Sequence, residues 1–69
     1  MKISARNILP GKIKTITKGP VTSAITLEIA PGLEIVSSIT SEAAASLKLK
    51  KGQAAYAIIK ASSVMVGTD

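Results

Sequence analysis

The chain has 69 residues, no cysteine and no histidine, and a formal net charge of +5 carried by eight lysines and the single arginine Arg6 against Glu28, Glu34, Glu42 and Asp69. This inventory excludes disulfides and a Cys/His zinc site as stabilising devices. It leaves no imidazole or thiol for acid/base or nucleophilic chemistry, and the length bounds the protein to one domain spanning residues 1–69.

A chain this short buries a modest share of its surface, so association with further copies is the remaining source of stability. Its apolar residues make up 46% of the sequence and are almost all aliphatic: ten alanines, ten isoleucines and a few valines and leucines, with Tyr56 the one aromatic. β-Branched residues favour strands. The expected fold class is therefore all-β with one short helix, its surplus apolar surface covered in an oligomer. No apolar run approaches the ~20 residues that span a bilayer, and Met1-Lys2-Ile3-Ser4 does not open a signal peptide, so a cytoplasmic location is expected.

In chain order, a first strand is predicted over Lys2–Asn7, followed by Pro10-Gly11, a turn signal whose proline is also compatible with a strand edge or a bulge. A second runs over Lys12–Lys18, with Ile13, Thr15 and Thr17 on one face and Lys12, Lys14, Ile16 and Lys18 on the other. Gly19-Pro20 breaks it. Val21–Ala30 alternates most clearly, and Pro31-Gly32 turns it into a hairpin with Leu33–Ile39. Thr40-Ser41-Glu42 before three alanines marks a helix start, with Thr40 or Ser41 capping and Glu42 complementing the dipole; Gly52 is predicted to stop it. Ala54–Lys60 reads as a strand buried on both sides, with Tyr56 in the core, and Ser62–Val66 as a further extended segment. Five or six strands with one helix before the last pair fit a small Greek-key barrel of oligonucleotide/oligosaccharide-binding (OB) type.

Neither paired carboxylates nor a glycine-rich P-loop is present, so no enzymatic activity and no catalytic cofactor are expected. The residues that stand out are donors. Arg6 lies two positions from Ser4, on the same face of an extended segment, with Ala5 pointing away. Lys60-Ala61 precedes Ser62-Ser63, where a bend frees backbone N–H groups. Guanidinium, ammonium and hydroxyl groups together suit a small oxyanion, every surface atom of which accepts hydrogen bonds. Thr40 and Ser41 open a helix, whose first-turn N–H groups favour anions. The bland readings are a surface ion pair of Arg6 with Glu28, Glu34 or Glu42, a snorkelling Lys60, and plain capping by Thr40 or Ser41. A competing function is single-stranded nucleic-acid binding through Lys12, Lys14 and Lys18, weakened by the lack of stacking aromatics.

Ser4-Ala5-Arg6-Asn7-Ile8-Leu9-Pro10-Gly11, Ile39-Thr40-Ser41-Glu42-Ala43-Ala44, Leu47-Lys48-Leu49-Lys50-Lys51-Gly52 and Ile59-Lys60-Ala61-Ser62-Ser63-Val64-Met65-Val66, in this order and spacing, resemble the molbindins, the small Mop-type molybdate-binding proteins. Their domain recurs in molybdate-responsive regulators and transport ATPases. The resemblance implies an OB-like barrel assembled as a hexamer, a trimer of dimers, with molybdate or tungstate held between subunits. It implies Ser4, Arg6, Thr40, Ser41, Lys60 and Ala61 as the ligand-binding set, with the molybdenum held as its oxyanion rather than by direct protein ligation. It also implies storage or homeostasis of molybdenum, the role that a stand-alone chain of 69 residues favours over regulation. Where some relatives place a serine this chain has Ala43, so a hydroxyl contact at that position is lost or replaced by a backbone N–H.

Overall fold

The stretch with the clearest alternation folds as expected. In the computed structural model, which describes all residues Met1–Asp69, β2 (Thr22–Ala30) forms an antiparallel hairpin with β3 (Leu33–Thr40), and Gly32 takes a positive φ of 79° in the turn between them. The remaining elements are β1 (Asn7–Lys18), α1 (Ser41–Ser46), β4 (Ala54–Ile59) and a single 3-10 turn over Ala61–Ser63. The four strands form one antiparallel sheet in the order β3-β2-β1-β4, curled into a half-barrel with α1 at one end. Strands dominate and one short helix is present, as the composition implied. The strand count is four, and β3 and β4 are free edges.

β1 departs most from expectation. Pro10 and Gly11 are not a turn: they lie inside the strand, opposite Tyr56 and Ala55 of β4. Proline is tolerated there because residues 7–11 pair with β4 alone, and pairing with β2 begins only at Lys12 opposite Glu28. Gly11 fits because a Cβ at that position would lie 2.5 Å from the Glu28 carbonyl oxygen. Further on, Ile13 faces Leu27 and Thr15 faces Thr26, leaving Lys14 as the extra residue of a bulge. The bulge changes the alternation, so that Ile16, opposite Ile25, points the same way as Ile13. Ile13, Ile25, Leu27 and Ala57 form the buried core, and Ile16 packs against it. The predicted placement of Ile16 on the lysine face is thereby corrected.

On the convex face Lys12 stands opposite Glu28, Glu28 opposite Glu34, and the Lys14 ammonium donates to Glu34 Oε2 in the structure's only ion pair. That hydrogen bond, followed by the charge of Glu34, raises the Lys14 pKa above its ordinary value.

Thr40 is the N-cap of α1, its Oγ1 accepting from the Ala43 N–H at 3.0 Å, and Glu42 lies in the first turn. The helix ends well before Gly52. Lys48 N–H donates to the Ala45 carbonyl and Leu49 N–H to the Ala44 carbonyl, a Schellman closure with Lys48 at the position usually held by glycine. Lys48 accordingly has φ 53°, a left-handed conformation that costs a side-chain-bearing residue about 1–2 kcal/mol.

The two predicted terminal strands are absent. Residues 2–6 precede the ladder, which begins at the pair Asn7–Ile59, and of residues 62–66 the first two lie in the 3-10 turn and the rest follow it without joining a strand. Neither segment has a partner strand within the chain. β4, expected to be buried on both sides, is an edge strand: Ala57 is buried, but Tyr56 is 58% and Ile58 42% exposed. One face covers the core, and the other has nothing from this chain to cover it.

Candidate functional site

The β1–β4 ladder ends at Asn7 and Ile59, and Asn7 Nδ2 donates to the Ile59 carbonyl at 3.3 Å, fastening the last pair. Beyond this clamp the two strands part. Arg6 leaves on one branch and Lys60 on the other, which places a cation on each side of the fork. Ser4, Arg6, Lys60 and Ala61 line a single open cavity of about 450 Å³, walled by Ile3, Ala5 and Ile58. Four of the six predicted site residues therefore meet, although they come from opposite ends of the sequence.

The backbone adds donors. In the 3-10 turn Ser63 N–H bonds to the Lys60 carbonyl at 2.9 Å and Val64 N–H to that of Ala61 at 3.3 Å, a pattern that leaves the Ala61 and Ser62 N–H groups without partners in the turn. No carboxylate lines the cavity. The predicted ion pair of Arg6 with a glutamate does not form, since the sole ion pair joins Lys14 to Glu34. Arg6 and Lys60 are exposed and uncompensated. The cavity thus offers guanidinium, ammonium, hydroxyl and N–H donors against aliphatic walls, an arrangement that binds anions and has nothing to hold a bare cation. No cluster of His, Cys, Asp or Glu able to hold a metal ion exists anywhere in the chain.

Thr40 and Ser41 lie outside this cavity. Thr40 Oγ1 accepts the capping bond but keeps its own proton free to donate. Ser41 is committed within the chain: its hydroxyl donates to the Gly19 carbonyl at 2.6 Å and lies 2.7 Å from the hydroxyl of Ser23, which is only 2% exposed. Sequence reasoning missed three features of the cavity. Ala5, expected to point away, is part of its wall because residues 4–6 bend rather than extend. Ile3 and Ile58 complete that wall, and Asn7 fastens the fork; the only sequence signal for Asn7 was its place directly after Arg6.

Residues 3–66 match the TOBE domain. The chain belongs to the TOBE domain family. Among TOBE proteins it is 46% identical over 69 residues to the probable molybdenum-pterin-binding protein of Haemophilus influenzae, with all of both chains covered. It is 49% identical over 69 residues to the molybdenum transport protein ModE of Herbaspirillum seropedicae, where all of this chain matches 26% of the larger protein, about a quarter of its length. The structure of a molybdate-binding protein from Sporomusa ovata superposes on it with a TM-score of 0.91 at 38% identity, covering 99% of this chain and 100% of that one. The resemblance to Mop-type proteins read from the sequence holds.

Proposed function

We propose that this protein binds molybdate as a tetrahedral oxyanion in the cavity between Arg6 and Lys60, as part of intracellular molybdenum storage or homeostasis. The observation that carries the reading is the convergence of Ser4, Arg6, Lys60 and Ala61 on one cavity that contains no carboxylate. Molybdate at neutral pH carries two negative charges and four acceptor oxygens and has no proton to donate. Arg6 and Lys60 balance the charges, while Ser4 and the free N–H groups of Ala61 and Ser62 fill further lone pairs. Hydrogen bonds to charged groups contribute about 1.5–3 kcal/mol each. Four or five outweigh the desolvation of a small dianion and leave micromolar or better affinity. Hydrogen phosphate still carries a proton, and this lining offers no carboxylate to receive it, so phosphate is the poorer fit. Tungstate, with the same charge and shape, is accepted on the same grounds.

Thr40 and Ser41 enter the reading from a second copy. They lie away from the cavity in their own chain, so a site that brings this helix start to the other four residues is assembled between subunits. The free edges β3 and β4, the exposed Tyr56 and Ile58, and the partnerless residues 2–6 and 62–66 supply surface for such an assembly, and a hexamer built as a trimer of dimers is the proposed state. Between Thr40 and Ser41 the former is the better donor, because its proton is uncommitted. An anion bridging copies stabilises the assembly by mass action.

The nucleic-acid reading draws no support from the relatives. It also loses its surface, since Lys12 stands opposite Glu28 and Lys14 is bound to Glu34. Titration calorimetry with molybdate, tungstate, sulfate and phosphate at matched ionic strength, followed by native mass spectrometry, tests the proposal. Saturable binding of the first two, with sulfate and phosphate at least tenfold weaker, is the expected result. Equal affinity for all four would reduce the site to a general basic surface.

A further inference from the structure

A second cationic cavity lies at the opposite end of β1. Lys18 from that strand and Lys48 and Lys50 from the segment after α1 line a space of about 300 Å³, with Ile16, Ala44 and Leu49 as apolar walls and Ser41 at its polar end. None of the three lysines forms an ion pair, and no carboxylate lines the space. Glu34 is bound to Lys14, and Glu28 stands opposite Lys12 and Glu34, away from this space.

Completion of the helix dipole accounts for lysines following α1, but it does not bring in Lys18, some thirty residues earlier in sequence. It also does not account for Lys48 in a left-handed conformation, where glycine would sit without strain. The cavity differs in chemistry from the first. Ammonium groups are point charges that suit phosphate without demanding a planar fork. Its volume is at the lower end of the range for organic-ligand pockets, and Ile16, Ala44 and Leu49 give it apolar walls beside the lysines.

We propose that this cavity is a second anion site, specific for a small organic phosphate ester: the phosphate meets Lys18, Lys48 and Lys50, and the ester's apolar body lies against Ile16 and Leu49. The assignment rests on Lys18, Lys48 and Lys50, none of which the molybdate reading uses.

The test is an amide chemical-shift titration of the intact protein, using phenyl phosphate as probe and inorganic phosphate as its control at equal ionic strength. Phenyl phosphate is expected to shift Gly19, Ala45 and Leu49 saturably, with at least tenfold higher affinity than inorganic phosphate. Lys18→Gln/Lys50→Gln is expected to weaken it at least tenfold, while Arg6→Ala leaves it unchanged. Lys48→Gly gives the sharpest readout: it relieves the backbone and removes an ammonium, so the melting temperature should rise while phenyl phosphate affinity falls several-fold. Absence of saturable shifts, equal binding of the two probes, or a stabilised Lys48→Gly protein with unaltered affinity would each overturn the assignment.

Discussion

Ser4 and Ser41 are the same residue in opposite circumstances. Ser41 lies in a closed circuit, donating its one hydroxyl proton to the Gly19 carbonyl and accepting from buried Ser23, so its donor capacity is spent on the chain's own structure. Ser4 lies where the β1–β4 ladder has run out, beside an arginine and a lysine without counter-charges and N–H groups that the local turn does not use. Polar groups bonded within the chain hold the fold together; exposed donors that converge on one cavity remain free for a ligand. The difference explains why hydroxyl residues of similar appearance in sequence are assigned different principal tasks.

The comparison can be broken most decisively at Arg6. An Arg6→Ala variant gives up two charge-assisted hydrogen bonds of about 1.5–3 kcal/mol each, so molybdate affinity should fall at least ~100-fold in calorimetry. Because Arg6 is exposed and pairs with nothing in its own chain, the unliganded melting temperature should stay within about 1 °C of the parent. A destabilised variant with normal affinity would reverse the roles of the two regions. Ser23→Ala addresses the other side. It removes a buried partner of Ser41 and should cost about 1–3 kcal/mol in urea denaturation with molybdate affinity unaltered.

Thr40→Ala lies between these extremes. Loss of the cap at Ala43 should cost about 1 kcal/mol of stability, and loss of the free hydroxyl proton should weaken molybdate binding several-fold. A purely structural cap would move the first quantity and leave the second. The smallest effect belongs to Lys14. Its folded pKa lies above the unfolded 10.5, so the contribution of the Lys14–Glu34 pair is complete below that pH and disappears as pH rises through the folded value. Melting curves between pH 9 and 12 should therefore show a slightly steeper alkaline decline for the parent than for Lys14→Met, and 1 M salt should erase the difference.

What could be read from sequence was whatever a short stretch decides alone. The alternation of Val21–Ala30, the Pro31-Gly32 turn and the Thr40 cap each depend on a few neighbouring residues, and each is present. Pro10-Gly11 failed as a turn because its reading depends on what lies beside the strand: the absence of a β2 partner at Pro10 and the close approach of the Glu28 carbonyl to Gly11. Ile16 was assigned to the wrong face because nothing local announces a bulge at Lys14. Residues 2–6 and 62–66 have the composition of strands but no partner in this chain, so their extended pattern has nothing to pair with. For the cavity, the chemistry of Ser4, Arg6 and Lys60 was legible, since charge and donor type belong to a residue. Its apolar walls were not, because Ile3, Ala5 and Ile58 become walls only once the strands diverge.

The bulge at Lys14 has a consequence for how β1 can change length. Removing Lys14 would leave Ile13, Thr15 and Ile16 in unbroken alternation, with both isoleucines still turned inward, whereas deleting Thr26 from β2 would throw either Ile25 or Leu27 out to solvent. This strand therefore carries one dispensable position, at which a codon can be lost without scrambling the interior. The penalty would appear in shape: without the extra residue the strand bends less, and the half-barrel would open.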